Sequence, residues 1–176
     1  MKIPDYLKNV FFIDGGSLAG ENAMKTAFDW KRRKNIEKGI DTKGDKIIYF
    51  KQSFHGRTGY TLSLTNTTDP RKTMYFPKFD WPRVSNPFCE FDLDGNVCND
   101  IEFAEAKACQ EIEQAFSDSK DKIAAIVIEP MQGEGGDNHF RDEFLQKLRQ
   151  YADEREALLI FDEVQTGFYG SGKPWL

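Results

Sequence analysis

The sequence predicts an α/β protein built on a largely parallel sheet covered by helices on both faces. Two observations predict it. Four short apolar runs, at residues 10–14, 46–51, 123–128 and 158–161, alternate with segments of helical periodicity. Each run ends in a polar or glycine-rich segment, and ligands of such sheets gather at the carboxyl ends of the strands. One site assembled from four loops is the expected arrangement. No internal repeat, low-complexity tract or linker divides the chain, so residues 1–176 are read as a single unit without an internal boundary.

Taken in order, the run at 10–14 leads into Gly15-Gly16-Ser17, which opens a helical segment with Ala19, Ala23, Ala27 and Trp30 on one side and Met24 and Phe28 beside them. This is a strand, a glycine turn and a helix. Ile47, Ile48, Tyr49 and Phe50 form the second strand, which leads into Ser53-Phe54-His55-Gly56-Arg57. Residues 66–99 are rich in proline and aromatics and read as a long irregular excursion. From Asp100 a helix with Ile101, Ala104, Ala108, Ile112 and Ala115 on one side precedes the strand at 123–128. A loop holding Gly133, Gly135 and Gly136 then leads to a helix with Phe144, Leu148 and Tyr151 on one face, and the strand at 158–161 closes the series.

Composition narrows the function. An apolar fraction of 39% in 176 residues is low for a self-contained core and suggests a core missing some of its partners. With 24 basic against 29 acidic residues the net charge is −5, which gives no footprint for a nucleic-acid backbone. No apolar run approaches the roughly 18 residues that span a bilayer, and residues 1–5 lack the apolar core of a secretion signal, so a soluble cytoplasmic protein with no membrane or nucleic-acid partner is expected. Cys89, Cys98 and Cys109 lack paired spacing and His55 and His139 lie far apart, so free thiols and no metal site are expected. Asp92-Leu93-Asp94-Gly95 resembles a calcium loop only briefly. Its glycine comes fourth instead of sixth and Phe103 stands where the final glutamate belongs, which leaves an Asp-Gly turn.

Four segments carry chemistry. Gly15-Gly16-Ser17 before a helix offers open amides, a hydroxyl and the positive end of the helix dipole, which suit a phosphate. A dinucleotide fingerprint fits worse, with glycines at 15, 16 and 20, so a nicotinamide-dependent oxidoreductase is the lesser alternative. Phe54-His55-Gly56-Arg57 sets an aromatic face and a guanidinium on one turn, able to cover a planar ring and pair with a carboxylate, or else a core phenylalanine and a solvated arginine. Glu129 directly follows an apolar run and needs partners near the sheet edge, while Glu134 sits further along the glycine-rich loop. Asp162 at the tip of the last strand is a carboxylate placed as a pyridinium nitrogen requires, and the amide of Gln165 can reach a neighbouring ring oxygen. The last motif suggests pyridoxal phosphate.

Together these segments resemble the class III family of pyridoxal-phosphate aminotransferases, of fold-type I architecture, over essentially the whole chain. Residues 59–66, 77–83 and 135–140 are most similar to the branch that acts on the side-chain amine of L-lysine, ahead of the ornithine and 4-aminobutyrate branches. The resemblance implies that the chain is part of the large cofactor-binding domain, with N- and C-terminal parts of the enzyme absent. It implies that Gly16 and Ser17 bind the cofactor phosphate, that Phe54 and Val164 cover opposite faces of the pyridine ring, that Asp162 pairs with the ring nitrogen and that Gln165 contacts the phenolic oxygen. Arg57 would hold the substrate's α-carboxylate. Glu134 resembles the family's switch glutamate, whose arginine partner lies beyond the chain, and Glu129 a supporting acid in the substrate site. The implied reaction moves the amine to 2-oxoglutarate in a homodimer and gives glutamate and 2-aminoadipate 6-semialdehyde. Lys173 does not match the Schiff-base lysine, so this stretch alone is expected to be inactive, and a truncated or degenerate product without catalysis is the alternative. One departure is Tyr169, where the family commonly has glycine.

Overall fold

The computed structural model describes residues 4, 6–170, 172, 174 and 175, so Lys173 lies outside the described residues. Helix α1 spans Gly16–Glu37, strand β1 Lys46–Phe50 and helix α2 Gly59–Leu64, followed by a 3-10 turn at Pro70–Lys72 and strand β2 at Arg83–Val84. Helix α3 (Ile101–Asp118) precedes β3 (Ile123–Ile128), a small hairpin of β4 (Met131–Gln132) and β5 (Asn138–His139), helix α4 (Asp142–Glu154) and β6 (Leu158–Phe161). The main sheet has the order β2-β1-β3-β6, and every pairing in it is parallel. This is the α/β architecture expected from the alternating pattern.

Alternation along β1 explains the two layers of core. Ile47 and Tyr49 point to one side, where they meet Met24 and Ala27 of α1, Leu64 of α2 and Trp81. Ile48 and Phe50 point to the other, against Ala108 and Ile112 of α3 and Phe144 and Leu148 of α4. Strand β3 is buried at all six positions, as a central parallel strand between two helical layers must be. Local signals set the ends of the elements. The Asp100 carboxylate accepts from the Phe103 amide at 3.0 Å and starts α3, while Thr58 and Thr61 form a reciprocal capping box that starts α2.

Four expectations change. Residues 10–14 form no strand: Phe11 and Phe12 are 73% and 82% exposed, and no described strand lies beside them to satisfy their backbone. The excursion at 66–99 contributes β2 to the sheet, and the glycine-rich loop folds back as the β4–β5 hairpin; strands of two residues leave no readable period. Helix α2 follows the Phe54–Arg57 turn, where no helix was expected. The Asp-Gly turn is present, with Asp92 accepting from the amides of Asp94 and Asn96 at 3.0 and 2.8 Å. Among the described residues no helix is long and apolar enough to cross a membrane, and no group of three acidic, histidine or cysteine side chains is arranged to hold a metal.

Candidate active site

The loops that follow β1, β3 and β6 and the start of α1 meet at one end of the sheet. Helix α1 begins after Gly15, whose φ of +89° is open to glycine and strained for other residues, and no side chain caps its first turn. Its leading amides therefore point outward without an internal partner, and no acidic residue in that turn opposes an anion. A Cβ on Gly16 would lie 2.7 Å from Val164 Cγ2, and a Cβ on Gly56 would lie 1.9 Å from Ser17 Oγ. These close approaches bring the 15–17, 54–57 and 162–165 segments together. The fourth loop joins them through Gly133, over which the Gln165 amide packs so closely that a Cβ would lie 2.1 Å from Oε1.

Asp162 is mostly buried at the tip of β6 and is held from two sides. Its Oδ2 lies 2.8 Å from His55 Nδ1, its Oδ1 accepts from the Val164 amide at 3.1 Å, and its own amide donates to the Ile128 carbonyl. The imidazole therefore carries its proton on Nδ1, and its buried Nε2 has no hydrogen-bond partner among the described residues. A cavity of about 340 Å³ opens beside this pair, between the small residues Ala19, Gly20 and Ala23 of α1 and the tips of β3 and β6, with Gly16, Asp162 and Val164 in its wall.

Glu129 is 4% exposed and its Oε1 accepts from the Phe54 amide at 2.8 Å, which fixes the backbone at the base of the aromatic turn. Burial pushes its carboxyl up to about 7, against the opposing attraction of His55 and the Phe54 hydrogen bond. The Phe54 ring is half-buried and stacks on no other described ring. Arg57 projects into solvent, and its guanidinium has no hydrogen bond among the described residues. Glu134 lies at the same end of the sheet, where Oε1 accepts from Thr67 Oγ1 at 3.0 Å and Lys72 Nζ at 2.7 Å while Oε2 is buried without a partner among the described residues.

The profile of the aminotransferase class-III family matches residues 2–176. The chain belongs to that family. It is 50% identical over 170 residues to the L-lysine-epsilon aminotransferase of Mycobacterium tuberculosis, covering 96% of this chain and 37% of the relative. The L-lysine-epsilon aminotransferase of Amycolatopsis lactamdurans is 46% identical over 172 residues, 96% of this chain and 37% of the relative, and the mitochondrial 4-aminobutyrate aminotransferase of Sus scrofa is 34% identical over 178 residues, 91% and 35%. The solved lysine aminotransferase from M. tuberculosis in the internal aldimine form superposes with a TM-score of 0.86 at 49% identity over 94% of this chain and 37% of that one. The chain thus spans about 37% of the length of the lysine aminotransferases it matches.

For this member of the family, the geometry brings all the sequence-selected residues to one end of the sheet. Two participants went unassigned in the sequence. His55 was seen only as part of the aromatic turn, and a histidine one residue after the ring-covering position carries no period that points to Asp162. Lys72 was not singled out; the arginine expected for Glu134 lay beyond the chain, and within the described residues the carboxylate meets Lys72 instead.

Proposed function

We propose that these residues form part of the large, cofactor-binding domain of a homodimeric aminotransferase that uses pyridoxal phosphate to move the side-chain amino group of L-lysine to 2-oxoglutarate, giving glutamate and 2-aminoadipate 6-semialdehyde. One observation carries the reading: open helix amides, an aromatic turn and a strand-end carboxylate converge, in a chain 50% identical to a lysine-epsilon aminotransferase. The 34% identity to a 4-aminobutyrate enzyme is markedly lower, which favours the lysine branch.

The residues present fit the cofactor. Uncapped amides of α1 and the Ser17 hydroxyl suit a phosphate, Phe54 and Val164 offer two apolar faces, and Asp162 keeps acceptor capacity beyond its bonds to His55 and Val164. When bound, the cofactor supplies an electron sink for the carbanionic stage of the reaction. Asp162 would pair with the ring nitrogen and favour its protonated form, and the hydrogen bond from His55 Nδ1 fixes the orientation of that carboxylate. Gln165 would contact the ring oxygen through its amide. Arg57 takes the α-carboxylate of L-lysine in a bidentate pair, so that the side-chain amine is the group presented for reaction. Glu134, held by Thr67 and Lys72, contributes a negative charge to the substrate site, and Glu129 supports it by fixing Phe54.

The test is to supply the full-length protein containing this chain with pyridoxal phosphate, 2-oxoglutarate and one of L-lysine, L-ornithine or 4-aminobutyrate, and to follow glutamate. L-lysine is the expected preferred donor, and Asp162→Ala is expected to cripple turnover while leaving the protein folded. Preference for ornithine or 4-aminobutyrate would move the chain to another branch, and near-normal turnover in folded Asp162→Ala would remove the role given to the carboxylate.

A further inference from the structure

Glu21 lies on α1 roughly one turn beyond Ser17, and although it is an acid it is only 7% exposed. A buried carboxylate needs compensation. Here no cation supplies it among the described residues. Instead Oε1 accepts three hydrogen bonds from the start of α2: from the Thr58 hydroxyl at 2.7 Å, the Tyr60 amide at 2.6 Å and the Thr61 amide at 3.3 Å. The leading end of a helix is where a carboxylate is best tolerated, since open amides and the helix dipole both favour negative charge.

Arg57 sits between two contacts with α1. On its N-terminal side Gly56 lies so close to Ser17 that any Cβ there would collide with the hydroxyl, and its φ of +115° suits glycine alone. On its C-terminal side the hydroxyl of Thr58 is bound by Glu21. The guanidinium itself is exposed and makes no hydrogen bond among the described residues, so the direction in which it leaves the turn is set by the backbone on either side. We propose that Glu21 is a positioning residue for Arg57: by gripping the first turn of α2 it ties the carboxylate-binding arginine to the same helix whose start receives the phosphate. The inference rests on the role given to Arg57 above. It makes α1 the common reference for both anionic groups, and the span between them then decides which amine reaches the centre.

The experiment compares L-lysine with 1,5-diaminopentane, which has the same reacting amine but no carboxylate, in the full-length holoenzyme. Glu21→Ala is expected to lower the ratio of kcat/KM for L-lysine to that for 1,5-diaminopentane by about tenfold, because only the first donor uses Arg57. Glu21→Gln, which keeps an accepting oxygen, should restore most of the ratio. Thr58→Val, which removes only the hydroxyl contact, should lower it in the same sense and serves if Glu21→Ala does not fold. Hydrogen exchange supplies a readout independent of turnover: in Glu21→Ala the peptide covering residues 54–62 should exchange faster while the rest of the sheet stays protected. An equal loss for both donors, an unchanged ratio or unchanged exchange at 54–62 would each overturn the inference. An unmodified enzyme that does not distinguish the two donors would overturn the role of Arg57 instead, and the exchange comparison would still decide whether Glu21 holds the turn.

Discussion

The Nδ1 of His55 lies 2.8 Å from Oδ2 of Asp162, joining the loop after β1 to the tip of β6. The pair is almost wholly enclosed, with side-chain exposures of 2% and 14%. Removing the imidazole leaves a carboxylate oxygen short of a donor in a poorly solvated site, a loss of about 1–3 kcal/mol. In the full-length enzyme His55→Ala is therefore expected to lower kcat by roughly ten- to a hundredfold. A folded His55→Ala enzyme with unchanged kcat would show that Asp162 needs no such support.

Glu129 gives a pH dependence with a definite sign. Its folded-state value of about 7 lies above the ordinary 4.5, so the stability tied to its neutral form is fully present below pH 4.5 and is lost as the pH rises through 7. The total change is on the order of 3 kcal/mol. Glu129→Gln cannot ionise, so the stability of this variant relative to the unmodified cofactor-free protein is expected to rise steadily between pH 4.5 and 7 and then level off. Denaturant unfolding at several pH values measures it, and a difference independent of pH would contradict a buried, raised carboxyl.

The Lys72–Glu134 pair is half-exposed, with side-chain values of 43% and 24%, and its contribution to stability is expected to be about 0–1 kcal/mol. Its effect on substrates should be larger. With Lys72→Met, Glu134 keeps only the Thr67 hydroxyl and is freer to turn its charge toward the carboxylates of 2-oxoglutarate. The KM for 2-oxoglutarate is expected to rise several-fold, on the order of 1 kcal/mol, with little change in melting temperature. Steady-state kinetics with an unaltered KM would reduce the pair to a surface contact.

Tyr169 occupies the left-handed region with φ of +67°. Its ring is 65% exposed, so little packing offsets the strain. Tyr169→Gly is expected to leave stability unchanged or raise it by up to about 1 kcal/mol, since relief of the strained backbone exceeds the added freedom of the unfolded chain. A clear fall in the thermal midpoint would show that the tyrosine ring contributes contacts worth more than the strain.

Much of this arrangement was legible because burial imposes simple patterns. The runs at 123–128 and 158–161 coincide with β3 and β6: β3, covered on both sides, is apolar at every position, and the edge strand β6, half-covered among the described residues, keeps the same apolar run. Asp162 was legible for the same reason: a charge directly after such a run must sit at the mouth of the sheet. The partner of Asp162 was not, because His55 is brought to it from 107 residues away by the register of β1 on β3 and β3 on β6. Lys72 reaches Glu134 across 62 residues from a segment with no period. Phe11 and Phe12 misled in the opposite direction, since an apolar run becomes a strand only where a neighbour supplies hydrogen bonds.

The order β2-β1-β3-β6 also sets a timetable. Strand β1 leaves the ribosome long before β3, the central strand against which most of its backbone pairs, and the long excursion and α3 must be made in between. At ordinary synthesis rates that interval is on the order of several seconds, during which the only described strand available to β1 is the two-residue β2. The turn bearing Phe54 and Arg57 waits with β1, and Asp162, Val164 and Gln165 arrive last of the site residues. A nascent chain of this sequence therefore exposes an apolar strand early and brings its site together late, which makes the period before β3 emerges one in which a chaperone has much to protect.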